Sequence, residues 1–180
     1  MATTPREFDL SFAAAQPRSA TTRDVGLLLL RLVLGVIMVG HGTQKLFGYF
    51  NGPGLDKAGL GFKAMGYPAG KTMAAIAGLS ETLGGVGLIF GFLTPLAAAA
   101  VLGTMMNAMA VHWGGFFAPK GLEYELMLAA AAAALCLTGP GRLSVDNYLP
   151  RLRDESRAAH RWICLLLGLV LGAVVLLIKG

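Results

Sequence analysis

Charge is what this chain has least of. Only 14% of its 180 residues are charged, where a soluble domain averages about 25%. Cysteine is scarce too. Cys136 and Cys164 form no C-x-x-C pair and fit no metal-ligand spacing, so they read as free thiols and small apolar fillers of helices, with no redox role. The chain has no phosphate-binding loop, no G-x-S-x-G, no flavin fingerprint, no iron–sulfur cysteines and no His–Cys–Asp metal pattern. It therefore offers no metal site and no catalytic constellation of its own. His41 and His112 could ligate haem across two helices, but nothing fixes them as axial partners. Met1 to Thr22 lacks the apolar core of a signal peptide, holds Pro and acidic residues, and reads as a flexible cytoplasmic tail.

What is abundant is apolar. Hydrophobic residues make up 55% of the chain, the mean hydropathy is +0.63, and there are 25 glycines, the residue that lets membrane helices approach closely. The net charge of +5 comes from arginines flanking apolar runs rather than from a basic face, so no nucleic-acid partner is expected. A membrane span needs about 20 apolar residues. Five segments approach that length: Val25–Phe47, Thr72–Leu93, Pro95–His112, Leu122–Thr138 (the shortest) and Trp162–Ile178. The second and third are joined by only Thr94 and Pro95, so they must form a tight antiparallel hairpin, with Pro95 in a first helical turn where its missing N–H removes no bond. Between the first two spans, Leu55, Gly59, Phe62 and Met65 share one helical face, which predicts an interfacial helix over about 54–66. The expected organisation is a tail (1–22), a four-helix membrane domain (23–148), a basic juxtamembrane segment on the inner leaflet (149–161) and a fifth span (162–178). Arginines gather at the N-terminus and at 142–161, lysines at the opposite ends of the spans. That bias predicts a cytoplasmic N-terminus and an external C-terminus.

Within these spans lie a few polar residues. A carboxylate at the depth of Glu81 costs roughly 2.5–3.5 kcal/mol on insertion scales, so it needs a partner or a proton. Arg31, His41, Gln44, Lys45, Asn107, His112 and Glu125 are the available company. At a rise of ~1.5 Å per residue, several of them converge on one level in the half of the membrane opposite the N-terminus. His41 and Lys45 share a face, as do Glu81 and Gly85. The expectation is an inward-facing polar cluster in which Glu81 and His41 exchange protons or hydrogen-bond a headgroup, Arg31 balances the buried charge, and Asn107 and Glu125 line the pocket. The competing reading is interhelical glue.

Several motifs carry a resemblance. Arg31-Leu-Val-Leu-Gly35 followed by His41-Gly-Thr-Gln-Lys-Leu-Phe-Gly48 resembles the opening of the DoxX family. The likeness continues through Glu81-Thr-Leu-Gly-Gly85, Gly91-Phe-Leu-Thr-Pro95, Asn107-Ala-Met-Ala-Val-His112 with Gly115-Phe-Phe117, Glu123-Tyr-Glu-Leu126 and Gly139-Pro-Gly-Arg-Leu-Ser-Val-Asp146. It covers about Val25 to Tyr148, leaving out the tail and the fifth span. The resemblance implies an all-α, four-helix membrane bundle in a bacterial plasma (inner) membrane, here with an additional C-terminal helix. It also implies a link to quinone oxidoreduction and to redox-defence partners such as a superoxide dismutase or a sulfurtransferase. With no electron carrier of its own, the chain is expected to bind quinone or dock a catalytic partner, as at most a non-autonomous subunit of an oxidoreductase. A small proton-coupled transporter and a structural scaffold are the alternatives. No inverted repeat is visible to favour the transporter.

Overall fold

A long apolar run in a medium without water must satisfy its own backbone, and in one continuous segment only a helix does so. The computed structural model describes residues 20–113, 115–117, 121–149 and 158–179. The tail through residue 19 and the basic residues 150–157 lie outside them. The long helices are α1 (Ala20–Phe47), α3 (Gly70–Phe90), α4 (Thr94–Val111), α5 (Glu123–Thr138) and α7 (Ala158–Leu177), joined by the short α2 (Gly54–Ala64) and α6 (Val145–Tyr148). Among the described residues there is no strand. Helix α1 begins at Ala20, inside the stretch expected to be tail, and α3 stops at Phe90 rather than Leu93. The helix expected over about 54–66 is α2.

Among the described residues, four helices are long and apolar enough to cross a membrane: Thr22–Phe47, Gly70–Phe90, Thr94–Val111 and Ala159–Leu177. Helix α5, expected as the fourth and shortest span, has only 16 residues, which at a rise of ~1.5 Å gives about 24 Å. It nonetheless runs the length of the bundle. Near its start the Tyr124 hydroxyl lies 3.2 Å from His41 Nε2, close to the end of α1, and near its finish the Cys136 thiol bonds Pro95 O at 3.3 Å, where α4 begins. The bundle thus has a near end, where α1 and α4 start, and a far end, where they stop and α2 lies.

Small residues set the packing. A Cβ on Gly35 would come within 2.7 Å of Gly85 O, and one on Gly85 within 2.6 Å of Gly35 O, so α1 and α3 touch backbone to backbone. Helix α7 meets α4 in the same way, with Gly172 against Gly103 and Gly168 against Ala99. The buried core, including Leu34, Met38, Leu88, Val101, Met105 and Leu135, fills the space among α1, α3, α4 and α5.

The α3–α4 hairpin is closed from a distance. Gly91, at φ 64°, ends α3 in the left-handed conformation, with Phe92 N–H donating to Gly87 O (2.8 Å) and Gly91 N–H to Leu88 O (3.1 Å). Leu93 is also left-handed, at φ 47°, a conformation unfavourable for leucine. The Asp146 carboxylate holds it there by accepting from Leu93 N (2.7 Å) and Thr94 N (2.9 Å), donors at the start of α4 that have no partner within the helix. Asp24 fastens the same returning segment by accepting from Arg142 N at 2.9 Å.

Candidate functional site

Side chains on a helix lean toward its N-terminus. Helices α1 and α3 are antiparallel, so Lys45 leans from the far end inward and Glu81 leans outward to meet it. Lys45 Nζ donates to both carboxylate oxygens of Glu81, at 3.0 and 2.7 Å. Glu81 is 2% exposed, while the Lys45 side chain keeps 24% of its surface. The counter-charge of the buried carboxylate is therefore Lys45.

Arg31, expected in that role, lies elsewhere. It is fully buried at the near end, donating to Leu88 O at 3.5 Å and to Leu143 O, within the field of Asp146. Leu88 lies two turns of α3 beyond Glu81, so the polar residues form two separate layers. A Cβ at Gly91 would collide with Arg31 Nη1, which is why the hairpin must pass the guanidinium as glycine.

At the far end the Lys45–Glu81 pair opens onto a cavity of about 520 Å³, lined also by Asn107 and His112. Its walls come from α3, α4 and α7, and Phe62, Met65 and Tyr67 close its top. The lining is overwhelmingly apolar, and the residues at its lips, Ile76 on α3 and Leu171 and Val174 on α7, are about half exposed. Helices α3 and α7 flank α4 without packing closely on each other, so the cavity opens sideways toward lipid.

Several polar groups around it are already committed. The Asn107 amide donates to Gly103 O and Gly172 O (both 3.0 Å) and accepts from the Tyr67 hydroxyl at 3.1 Å. It lines the cavity as expected, but as a clip joining α4, α7 and the start of α3. Burial pushes the Tyr67 phenol above its usual value, so it remains a donor, and the Lys179 ammonium sits 5.5 Å over its ring. His41 faces α5 and Tyr124 rather than the cavity. Gln44 does not line the cavity either and packs under the turn at Gly52. Glu125 lies behind His112, its Oε1 3.1 Å from His112 Nδ1.

Three polar lining residues, Tyr67, Ser80 and Thr104, had no place in the expected cluster, and the Thr104 hydroxyl is spent on Ala100 O. The Ser80 hydroxyl borders the cavity beside Glu81 and makes no hydrogen bond to the described residues. Its position next to a buried carboxylate was the available signal. Tyr67 could be singled out only as one aromatic among several around α2. The arrangement as a whole is a polar recess, with an unpaired hydroxyl, a paired ammonium and carboxylate, and an imidazole, at one end of a greasy slot.

Comparison with known proteins agrees with this architecture. Residues 26–113 match the sequence model of the family described as DoxX. The chain is 30% identical over 129 residues to "Inner membrane protein YqjF" of Escherichia coli (strain K12), an alignment covering 70% of this chain and 93% of that protein. It is 30% identical over 139 residues to "Uncharacterized membrane protein Rv3486" of Mycobacterium tuberculosis (strain ATCC 25618 / H37Rv), covering 69% and 82%. It is 28% identical over 127 residues to "Putative oxidoreductase CatD" of Bacillus subtilis (strain 168), covering 70% and 88%. No solved structure matches the chain at a significant level.

Proposed function

This chain belongs to the DoxX family of membrane proteins, and from that premise we propose that it binds a membrane-soluble quinone as a non-autonomous subunit of a redox assembly. The observation that carries this reading is the cavity: about 520 Å³, apolar along its length, open to the bilayer, with Lys45, Glu81, Ser80 and His112 at its far end. A quinone has that division, a ring bearing hydrogen-bond acceptors and an apolar tail, and pockets of such volume with a few convergent polar groups are ordinary ligand sites. The name of the Bacillus subtilis relative, "Putative oxidoreductase CatD", is in keeping with it. Electrons would pass to or from a partner protein, since this chain's own residues supply hydrogen bonds, protons and a dry slot.

The test is to purify the protein from native membranes in mild detergent and analyse the lipid extract by mass spectrometry. Quinone should accompany the parent protein. Ala77 lines the slot, so Ala77→Trp should fill it and lower the retained quinone at least about tenfold. The melting temperature should stay within a few degrees of the parent. Equal quinone in both preparations would sink the assignment.

The same reading includes an orientation in the plasma membrane, with the near end cytoplasmic. It is supported by the arginines at 142–161 in the sequence and by Arg142 itself, whose N–H meets Asp24 at the near end. Tyr148 is exposed at the near end and Lys57 lies on α2 at the far end. Cysteine introduced at Tyr148 should react with an impermeant thiol reagent only in inverted vesicles, and cysteine at Lys57 only in intact cells. The two native thiols are buried and will stay silent.

A further inference from the structure

We infer that the His112–Glu125 pair selects the oxidation state of the ligand, favouring quinol when the imidazole is neutral and quinone when it is protonated. The inference rests on the quinone reading above and names the residue within that site that sets its preference.

His112 ends α4 and borders the cavity, with Glu125 of α5 behind it. Their separation of 3.1 Å is that of an ion pair, yet the ring is not turned to make a directed hydrogen bond. Nδ1 and Glu125 Oε2 are both left without a hydrogen-bond partner. Such a pair has capacity left for a ligand or a proton, since buried polar atoms are seldom left unsatisfied. The facing carboxylate decides the tautomer. In the neutral ring it keeps the proton on Nδ1, which leaves Nε2 as an acceptor. An acceptor takes the O–H of a quinol and repels the lone pairs of a quinone carbonyl. Once the ring is protonated, Nε2 also carries a proton and the preference reverses.

The other polar groups around the cavity do not make this switch. Lys45 and Glu81 are locked to each other by two hydrogen bonds. Tyr67 donates to Asn107, whose amide does not titrate, and Lys179 lies on the Tyr67 ring. On α5, Glu123 accepts from Phe117 N, and Tyr124 meets His41 of α1. Ser80 can donate or accept at any pH. The His112 side chain is 36% exposed and Glu125 14%, so the imidazole is open to solution while its partner stays in place. Uptake of a proton by the imidazole should lower quinol affinity and raise quinone affinity.

The experiment measures equilibrium binding of decylubiquinone and of its quinol, under anaerobic conditions, to the full chain in nanodiscs between pH 8 and 5.5. In the parent, the ratio of quinone to quinol affinity should rise about tenfold across that interval. His112→Gln should bind both probes with a ratio that no longer changes with pH. Glu125→Gln should reduce the discrimination at pH 8, because the Nδ1 proton is no longer held. It serves as the second arm should His112→Gln fail to fold. A flat ratio in a parent that binds both probes would overturn this inference alone, as would an unchanged slope in His112→Gln or unchanged discrimination in Glu125→Gln. Failure of the parent to bind either probe would overturn the quinone assignment with it.

Discussion

Replacing Lys45 with methionine should destabilise the protein by about 3–5 kcal/mol, the usual consequence of removing one partner from a buried ion pair. The cost arises at Glu81. At 2% exposure and facing a largely apolar cavity, its carboxylate loses both of its hydrogen bonds and must take up a proton or admit water. Glu81→Gln should cost much less, because the amide oxygen still accepts from Lys45 and the ammonium is part exposed. The double variant Lys45→Met with Glu81→Leu should recover most of the loss, since matched apolar residues escape desolvation altogether. Thermal unfolding in one detergent checks the series, the Lys45→Met melting temperature falling by about 10 °C. If the double variant melts no higher than Lys45→Met, the pair is not the source of the cost. The series also separates adhesion from ligand chemistry: a Glu81→Gln protein of normal stability that has lost its quinone assigns the carboxylate to the ligand.

Asp146→Ala should be comparably severe, at about 3–5 kcal/mol. Three supports vanish together. The first turn of α4 loses its acceptor, a cap usually worth about 1–2 kcal/mol. Leu93 loses the bonds that hold it in a left-handed conformation. Arg31, fully buried and with its Nε unpartnered, loses the negative charge beside it. Asp146→Asn keeps one acceptor oxygen and the shape of the side chain, so it should fall between the parent and alanine. Proteolysis within the α3–α4 hairpin gives the sharper measurement, because cleavage near Leu93 should appear in the alanine variant before the bundle unfolds. A variant that resists cleavage as well as the parent would show that the cap is dispensable.

The helices were legible because each is a nearly unbroken apolar run, and in a bilayer such a run has few other options. Pro95 and the short spacing before it gave the hairpin correctly. Two things were less visible. Helix α5 is bounded to within a residue, Leu122–Thr138 against Glu123–Thr138, but a run that short does not declare whether it spans. The pairing of charges depends on side-chain direction. Counting rise per residue put Arg31 about 9 Å from the level of Glu81 and Lys45 about 12 Å from it. Neither figure includes the lean of the side chains, and that lean joins Lys45 to Glu81 while leaving Arg31 to the other end. Asp146 was quoted in a motif but given no role, because its partners are backbone N–H groups more than 50 residues away, which leave no mark on composition or periodicity. The fifth long helix looked accessory, since the family resemblance stops before it. Yet α7 builds one wall of the cavity and is tied to α4 through Asn107.

The brevity of α5 bears on the lipid as well as on the protein. Its 16 residues cover about 24 Å, against a hydrocarbon thickness of about 30 Å. Tyr124, Leu126 and Met127 on its surface are exposed, so part of the helix meets acyl chains directly. Such a hydrophobic mismatch is relieved by drawing the two leaflets together locally, at fractions of a kcal/mol per Å. Around this bundle the bilayer should therefore be thinner beside α5 than beside α1. A dimple of that kind favours neighbours with a matching deformation, so α5 is the side on which the protein should gather short-chain lipids or a second bundle.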